Sequence, residues 1–322
     1  METAPVVSIV ICTRNRAKTL QATIAALMRI ESSHPWEAIL VDNASTDGTM
    51  QALQAFGNHG GRFRCLRVER IGLGAARDAA WRQARGRIVS FTDDDCYVAP
   101  DYVDQIVEVF RRHPEVGCVG GRILLHDPTD APITIEERDV PRELRPFHFV
   151  EAGELHGANL SFRFEALERA GGFDPELGAG TPFPFEDIDV VAATSWAGVP
   201  ARFDPLPVVS HHHGRKPADT GRIMAGHDRG RGAYYAKYIL RKDTRKAYVI
   251  GWWRLANAFY YASTLGRLLR ECRSAAAYFL HRKRYGFLLV ALPVWAAAYA
   301  GITVMVGLRF LASRLRRPRM AA

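Results

Sequence analysis

Near the N-terminus the hydrophobic positions run almost unbroken. Val6-Val7-Ser8-Ile9-Val10-Ile11-Cys12 is β-branched and nearly continuous, which reads as a strand buried on both faces. The period then changes. Leu20, Ile24, Leu27 and Met28 recur at helical spacing after the polar run Thr13-Arg14-Asn15-Arg16. A second strand, Ala38-Ile39-Leu40-Val41, ends at Asp42, and Asp47-Gly48 marks a turn into a helix near Thr49–Ala55. The alternation continues with a strand at Phe63–Val68, a helix at Gly74–Arg85, and a strand at Arg87–Thr92 that runs into Asp93-Asp94-Asp95. A helix at Asp101–His113 and a strand near Val116–Gly120 follow. Short links between alternating strands and helices predict an α/β fold, a mostly parallel, doubly wound, Rossmann-like sheet with flanking helices.

Pro128, Pro132, Pro141 and Pro146 interrupt every period across residues 122–156, which reads as a long irregular excursion. Order resumes with a strand around Asn159–Phe164, a helix at Glu165–Ala170 and a helix after Phe185. The pattern changes again near residue 214. Residues 233–280 are rich in Tyr, Trp, Arg and Ala and read as amphipathic helices. Gly286–Leu308 then offers 23 residues without a formal charge, long enough at about 1.5 Å per residue to cross a hydrocarbon core of about 30 Å. His281-Arg282-Lys283-Arg284 precedes this run, and Arg309, Arg314, Arg316, Arg317 and Arg319 follow it. With charge on both sides, the positive-inside rule is nearly silent on orientation.

Charge sharpens the division. Residues 1–213 hold 21 basic and 30 acidic side chains, whereas residues 214–322 hold 22 basic and 4 acidic ones. An acidic body, 1–213, therefore carries a basic helical tail, 214–322, that calls for an anionic partner or a membrane surface. No nucleic-acid motif is visible, and basic clusters beside apolar helices suit lipid headgroups better. Five scattered cysteines without a C-x-x-C pair fit a reduced setting and argue against a Cys-based zinc site. The N-terminal residues lack the basic region of a signal peptide. The resulting expectation is a membrane-associated protein whose N-terminal domain is cytoplasmic.

In an open parallel sheet, ligands sit beyond the carboxyl ends of the strands. Thr13-Arg14-Asn15, Asp42-Asn43 and Asp93-Asp94-Asp95 all fall at such ends, where helix N-termini also favour phosphate. Three adjacent carboxylates repel one another unless a cation sits between them, and a hard divalent ion, Mg²⁺ or Mn²⁺, is the natural remedy.

Taken in order, VSIVICTRNR (7–16), ILVDNASTDGT (39–49), GLGAARDAAWRQARGRIVSFTDDD (72–95), GANLSFRFEALERAGGFDPELG (157–178), FEDIDV (185–190) and HHH (211–213) resemble a family 2 glycosyltransferase of the GT-A fold. The resemblance covers roughly residues 6–213. It implies that Asp42 contacts the nucleobase of a sugar-nucleotide donor, with Thr13 and Arg14 in the same pocket and Arg77 near the nucleotide. It makes Asp93 and Asp95 a DxD motif, with Asp93 and Asp94 on the nucleotide side, Asp95 on the metal, and Asp93 able to share it. Glu186-Asp187 matches the family's Glu-Asp pair, Asp187 as general base and Glu186 holding the acceptor. His211 matches a late histidine that completes the metal shell. The implied reaction is metal-dependent, inverting transfer of a sugar from a nucleotide diphosphate; the acceptor does not carry over from the resemblance, and the basic, apolar tail alone points to a lipid-linked or cell-envelope glycan.

Plainer roles compete for the same residues. Asp42 could cap a turn, Asp93-Asp94-Asp95 and His211-His212-His213 could be solvated turns, and Glu186-Asp187 could be an acidic first helical turn. Gly157-Ala158-Asn159 is expected on the acceptor side of the cleft. Two positions depart from the family pattern: Phe185 stands where Gly commonly precedes the Glu-Asp pair, and Asp78 where Asn is common. A nucleotidyltransferase, or a non-catalytic basic adaptor acting through residues 214–322, would also account for parts of the pattern.

Overall fold

Seven consecutive buried residues form β1 (Val7–Thr13), and seven more form β2 (Trp36–Asp42). The helix between them, α1 (Leu20–Met28), turns Leu20, Ile24 and Leu27 into the core against that surface. The computed structural model describes residues 4–57, 61–258 and 262–315. The chain divides into two compact units, Met1–Thr220 and Gly221–Ala322.

In the first unit the order continues with α2 (Thr49–Gly57), β3 (Phe63–Arg67), α3 (Leu73–Trp81), β4 (Ile88–Asp93), β5 (Cys96–Val98), α4 (Tyr102–Arg112), β6 (Cys118–Leu125), β7 (Arg142–Leu144), β8 (Asn159–Arg163), α5 (Phe164–Ala170), α6 (Glu186–Trp196) and β9 (Ala201–His211). The strands form one sheet in the order β3-β2-β1-β4-β8-β6-β9-β5, with β7 also on β9. Pairing is parallel across β3-β2-β1-β4, as the alternation predicts, and between β6 and β9. It is antiparallel at β4–β8, β8–β6, β5–β9 and β7–β9, so the sheet is mixed. A parallel neighbour needs a crossover, usually a helix. None lies between β6 and β8, and the chain comes back antiparallel.

The excursion is more ordered than its prolines predict. β6 runs on to Leu125, Ile123 pairs with Glu136, and β7 adds to the edge. β9 was masked by Pro205 and Pro207, which break its period. Its register against β6 shifts between Gly120 and Arg122, the kind of irregularity where a strand tolerates proline.

One buried polar side chain ties this mixed half together. Asn159 donates from Nδ2 to the carbonyls of Arg122 (2.8 Å) and Pro207 (3.0 Å) and accepts from the Tyr102 hydroxyl (2.9 Å). Tyr102, Ser90 and Ser161 continue the chain of hydroxyls. Asn159 is thus spent on holding β6, β8, β9 and α4 in register rather than on an acceptor cleft. Its neighbour Gly121 must be glycine, because a Cβ there would lie 2.3 Å from Asn159 Nδ2.

The second unit contains α7 (Thr220–Leu240), α8 (Arg245–Ala258), α9 (Ala262–His281) and α10 (Tyr285–Leu315). Gly232 lets α7 meet α9 backbone to backbone, since a Cβ would come within 2.0 Å of the Glu271 carbonyl oxygen. Arg316, Arg317 and Arg319 lie outside the described residues.

Asn159→Ala strands two carbonyls and a hydroxyl in the core. It is expected to lower unfolding stability by about 1–3 kcal/mol in chemical denaturation, the cost of buried polar groups left unpaired. A change below about 0.5 kcal/mol, the level of an ordinary surface substitution, would show that the network does not hold the strands.

Candidate active site

Parallel register places Thr13 beside Asp42 and Cys12 beside Asp93, so β1, β2 and β4 end along one edge of the sheet. The loops leaving that edge are stitched together. The backbone N–H groups of Asn15 and Arg16 donate to Ser45 Oγ and Thr49 Oγ1, both at 2.9 Å, and Asn15 Oδ1 accepts from the Thr46 N–H at 2.8 Å. Asn43 reaches the other way, accepting from the Gly72 N–H at 2.9 Å and donating to the Arg70 carbonyl at 2.7 Å.

Asp93, Asp95, Cys96 and His211 converge so that one ligand atom from each lies within 4.8 Å of the others. The topology explains why His211 arrives there. β5 follows the three aspartates directly and pairs with β9 in a register that sets Cys96 opposite His211. His211 Nε2 lies 3.2 Å from Asp95 Oδ1, while the buried Nδ1 has no hydrogen-bond partner. Burial alone would lower the imidazole pKa, but the hydrogen bond and charge of Asp95 raise it. Burial likewise opposes the Asp95 charge, yet His211 and Arg16 hold its carboxyl below the ordinary value. The neighbouring histidines turn elsewhere: His212 Nδ1 meets the Tyr97 hydroxyl at 3.0 Å, and His213 Nδ1 lies 3.6 Å from Asp130.

Asp94 accepts a hydrogen bond from Thr13 Oγ1, joining the ends of β1 and β4. Burial pushes its carboxyl up to about 6. Arg16 lies 3.8 Å from both Asp94 and Asp95, a contact the sequence pattern did not single out although it stands two residues from Arg14. Arg14 itself is exposed.

Arg77, expected near the nucleotide, is drawn into the interior of the site. It is 2% exposed and lies among the site's acids. Its Nη2 donates to Asp93 Oδ1 (2.8 Å) and the Gly157 carbonyl (3.1 Å), and its Nη1 to Glu186 Oε1 (3.2 Å). These three bonds turn Nη1 and Nη2 toward the acids, so Arg77 supports Asp93 and Glu186 from inside the site. Burial raises the Glu186 carboxyl to about 7, against the pull of Arg77. Gly157 bridges to the next acid: its N–H donates to Asp187 Oδ2 at 2.9 Å, and a Cβ there would lie 2.7 Å from Arg77 Nη1. Asp187 Oδ1 accepts from the Ile188 N–H at 2.8 Å. Asp93, Glu186 and Asp187 thus form one connected group around Arg77 and Gly157.

Asp42 stands two strands from Asp93, about 10 Å at ordinary strand spacing. It is fully buried, accepting from Arg67 Nη1 at 2.6 Å and from the Ser45 N–H at 3.2 Å. Arg67, opposite Asp42 in the β2–β3 register, is a second residue the motif reading missed. Asp78 accepts from Trp81 Nε1 and the Phe173 N–H and takes no part in the site. Phe185, the departure from glycine before the acidic pair, adopts φ 90° and ψ 38°. The left-handed backbone that favours glycine is therefore kept although the residue is not glycine. A second acidic group, Asp127, Asp130 and His212, already has its own cation: Lys216 Nζ lies 2.6 Å from Asp130 and 3.3 Å from Asp127.

The sequence profile of glycosyl transferase family 2 matches residues 8–171, half of the chain. The chain belongs to this family. An uncharacterised protein of Sinorhizobium fredii is 37% identical over 132 residues, 39% of this chain and 14% of that protein. The glucosyl-dolichyl phosphate glucuronosyltransferase of Haloferax volcanii is 24% identical, over 53% of this chain and 57% of its own length. The chain therefore spans little more than half, or less, of these relatives. A longer match is the N-acetylglucosaminyl-diphospho-decaprenol L-rhamnosyltransferase of Mycobacterium tuberculosis, 27% identical over 77% of this chain and 87% of that one. Among solved structures, a Pyrobaculum calidifontis mannosyltransferase in complex with GDP-Man and Mn²⁺ superposes with a TM-score of 0.58 at 20% identity, covering 96% of this chain and 88% of its own. At that identity the likeness shows the fold, GT-A, which this family 2 glycosyltransferase chain shares.

Replacing Arg77 by Met keeps the length of the stem and removes the charge, leaving Asp93 and Glu186 uncompensated. The expected loss of stability is about 3–5 kcal/mol, the usual cost of removing one partner of a buried ion pair. Chemical denaturation measures it. A loss below about 1 kcal/mol would show that the acids do not depend on Arg77.

Proposed function

We propose that this protein is a metal-dependent, inverting glycosyltransferase that uses a nucleotide-diphosphate sugar. The observation that carries the reading is the convergence of Asp93, Asp95 and His211, joined through Arg77 and Gly157 to Asp187.

The residues present fit a hard divalent cation. Two carboxylates and one imidazole suit Mn²⁺ or Mg²⁺, with the remaining positions left to phosphate and water. The Cys96 thiol beside them is held well above its usual pKa by burial and by the charges of Asp93 and Asp95, and as a soft ligand it suits a hard ion less than the carboxylates do. When bound, the ion supplies Lewis-acid stabilisation to the departing diphosphate. Asp95 and His211 would hold it, with Asp93 contributing its oxygen not engaged by Arg77. Asp94, Thr13, Arg14 and Asp42 follow the edge of the sheet away from the metal group, the direction a nucleoside would take.

Asp187 is the proposed general base. Backbone N–H groups of Gly157 and Ile188 hold its two oxygens in place, and each oxygen keeps a lone pair for the acceptor hydroxyl. Its position at the start of α6 aims the helix N-terminus at the same place, which favours the carboxylate. Glu186, turned to Arg77, positions rather than reacts. Base and leaving group on opposite sides of the sugar would invert the anomeric centre in one displacement.

The acceptor is proposed to be a lipid-linked or cell-envelope glycan. The supporting observations are a long apolar helix, Tyr285–Met305, with a mean hydropathy of 2.0, and the relatives named above that act on lipid-linked sugars. The described cysteines are free, consistent with a catalytic unit on the reducing, cytoplasmic side of a membrane.

Asp95→Asn is expected to abolish Mn²⁺ binding in calorimetry at concentrations that saturate the wild type, with the melting temperature preserved. Wild-type affinity would remove Asp95 from the metal site. Asp187→Asn is expected to leave donor affinity within about twofold and to lower transfer by about 10²–10⁴-fold, the range of general-base contributions. Retained transfer would exclude Asp187 as the base. On cell fractionation the full chain is expected in the membrane pellet and to resist a high-salt wash. Recovery in the supernatant without detergent would end the membrane assignment.

A further inference from the structure

We infer that the second unit enters one leaflet of an anionic membrane from the side of the catalytic unit and does not cross the bilayer. This deepens the membrane reading above and rests on it.

The apolar stretch of α10, Tyr285–Met305, is 21 residues long and 6% buried. By length alone it could cross, since 21 residues span about 31 Å. What packs on its middle argues against that. Trp295, at the centre of the stretch, lies 5.8 Å from the ring of Trp252 and stacks on Phe279 at 6.2 Å. Trp252 in turn donates from Nε1 to Glu271 Oε2 at 2.8 Å. Glu271 is the hub of a buried charge cluster. Arg231 and Arg267 each donate to it at 2.8 Å, and Asp228 pairs with Arg231 and Arg270. Glu271 therefore stands one indole away from the centre of the apolar stretch, with Arg231, Arg267, Asp228 and Arg270 linked behind it. A perpendicular crossing would carry this cluster to the middle of the hydrocarbon, where charge is most costly.

Exposed apolar side chains point to a different arrangement. They are not confined to α10. Val249, Ile250 and Trp253 are exposed on α8, at spacings that share one face, and Leu269 and Leu280 are exposed on α9. Leu289, Val290, Leu292 and Val294 are likewise exposed, over a broad arc of α10. A single crossing helix has no use for apolar faces on its two packing partners, whereas a platform of helices sunk into one leaflet does.

Charge complementarity names the surface. Residues 221–322 hold 20 basic and 3 acidic side chains. Asp228 and Glu271 are turned inward onto arginines, and Asp243 pairs with Arg241 at 2.7 Å. Lys242, Lys246, Arg254, Arg273, Lys283 and Arg284 are exposed on the same helices and their links, as anionic headgroups require. The flanks of α10 agree. Arg282-Lys283-Arg284 precedes it, and Arg309, Arg314, Arg316, Arg317 and Arg319 follow, with no acid among them. Crossing would translocate one of two basic flanks, which the positive-inside bias opposes. Both ends on one side satisfy both.

The test uses the full chain with an epitope added after residue 322, in sealed inverted membrane vesicles whose cytoplasmic face is outward. Protease without detergent is expected to remove the epitope together with the catalytic unit. An epitope protected until detergent is added overturns the inference while leaving membrane association intact. Chain that does not sediment with the vesicles overturns the membrane reading itself. Independently, purified chain is expected to float with phosphatidylglycerol-containing vesicles more than with pure phosphatidylcholine. The double variant Ile250→Glu, Trp253→Glu is expected to lower that binding at least about fivefold. Unchanged flotation of the variant, with donor turnover at the wild-type level, would remove α8 from the membrane surface.

Discussion

Arg77 is the counterion on which the acidic end of the sheet is built. Asp93 and Glu186 approach a single guanidinium that is 2% exposed, and a Gly157 carbonyl takes its remaining direction. Without that charge, two carboxylates would face each other in a medium too dry to screen them. The constraint propagates. Gly157 can be only glycine, because a Cβ would press on both Arg77 and Asp187. Gly178, at φ 109°, leaves room for Glu186 in the same way. The orientation of α6, and with it Asp187, follows from the place that Arg77 gives Glu186. Arg77 also explains how carboxylates can be crowded there before any ligand arrives: it neutralises the inner acids and leaves Asp95, with His211, on the outer side.

Much of this was legible in the chain. Buried parallel strands announce themselves as β-branched runs, and β1, β2 and β4 stand where those runs are. Because parallel register is set by the common edge, Thr13, Asp42 and Asp93 had to end side by side once the strands were right. What pattern could not show is direction and pairing in the second half. β9 carries two prolines, β5 has three residues and β7 three, so none has a readable period. Their pairing is nevertheless what delivers His211 to Asp95, so the least legible strands complete the most legible motif.

The site residues divide along the same line. Motif residues are read from their own neighbourhood, and Asp93, Asp95, Asp187 and His211 were read that way. Partners are found only from geometry. Arg67 matters because it lies opposite Asp42 in register, and Arg16 because a loop held by Ser45 and Thr49 aims it at two aspartates. Arg77 was visible as a motif residue, but its burial among Asp93, Glu186 and the Gly157 carbonyl was not. Phe185 shows the same limit from the other side. The residue type departs from glycine, yet the backbone keeps the left-handed turn that swings α6 into place. Such a turn is costly for a bulky side chain and persists only when its surroundings determine it.

The second unit shows why hydropathy and structure can weigh one helix differently. Averaging along α10 counts only its own side chains, and these are apolar. A membrane responds to everything at a given depth, including what neighbouring helices bring. Glu271 and Asp228 are two acids in a strongly basic stretch, and their absence from the surface would pass unnoticed in any count of charge. Glu271 beside Trp252, with Asp228 linked to it through Arg231, is what the proposed depth of α10 rests on, because moving the helix moves these charges with it. Their burial also has a second effect. Every acid turned inward removes a repulsive group from a surface proposed to meet anionic lipid, so on that proposal the same ion pairs that limit the depth of the bundle also leave its exposed charge mostly basic.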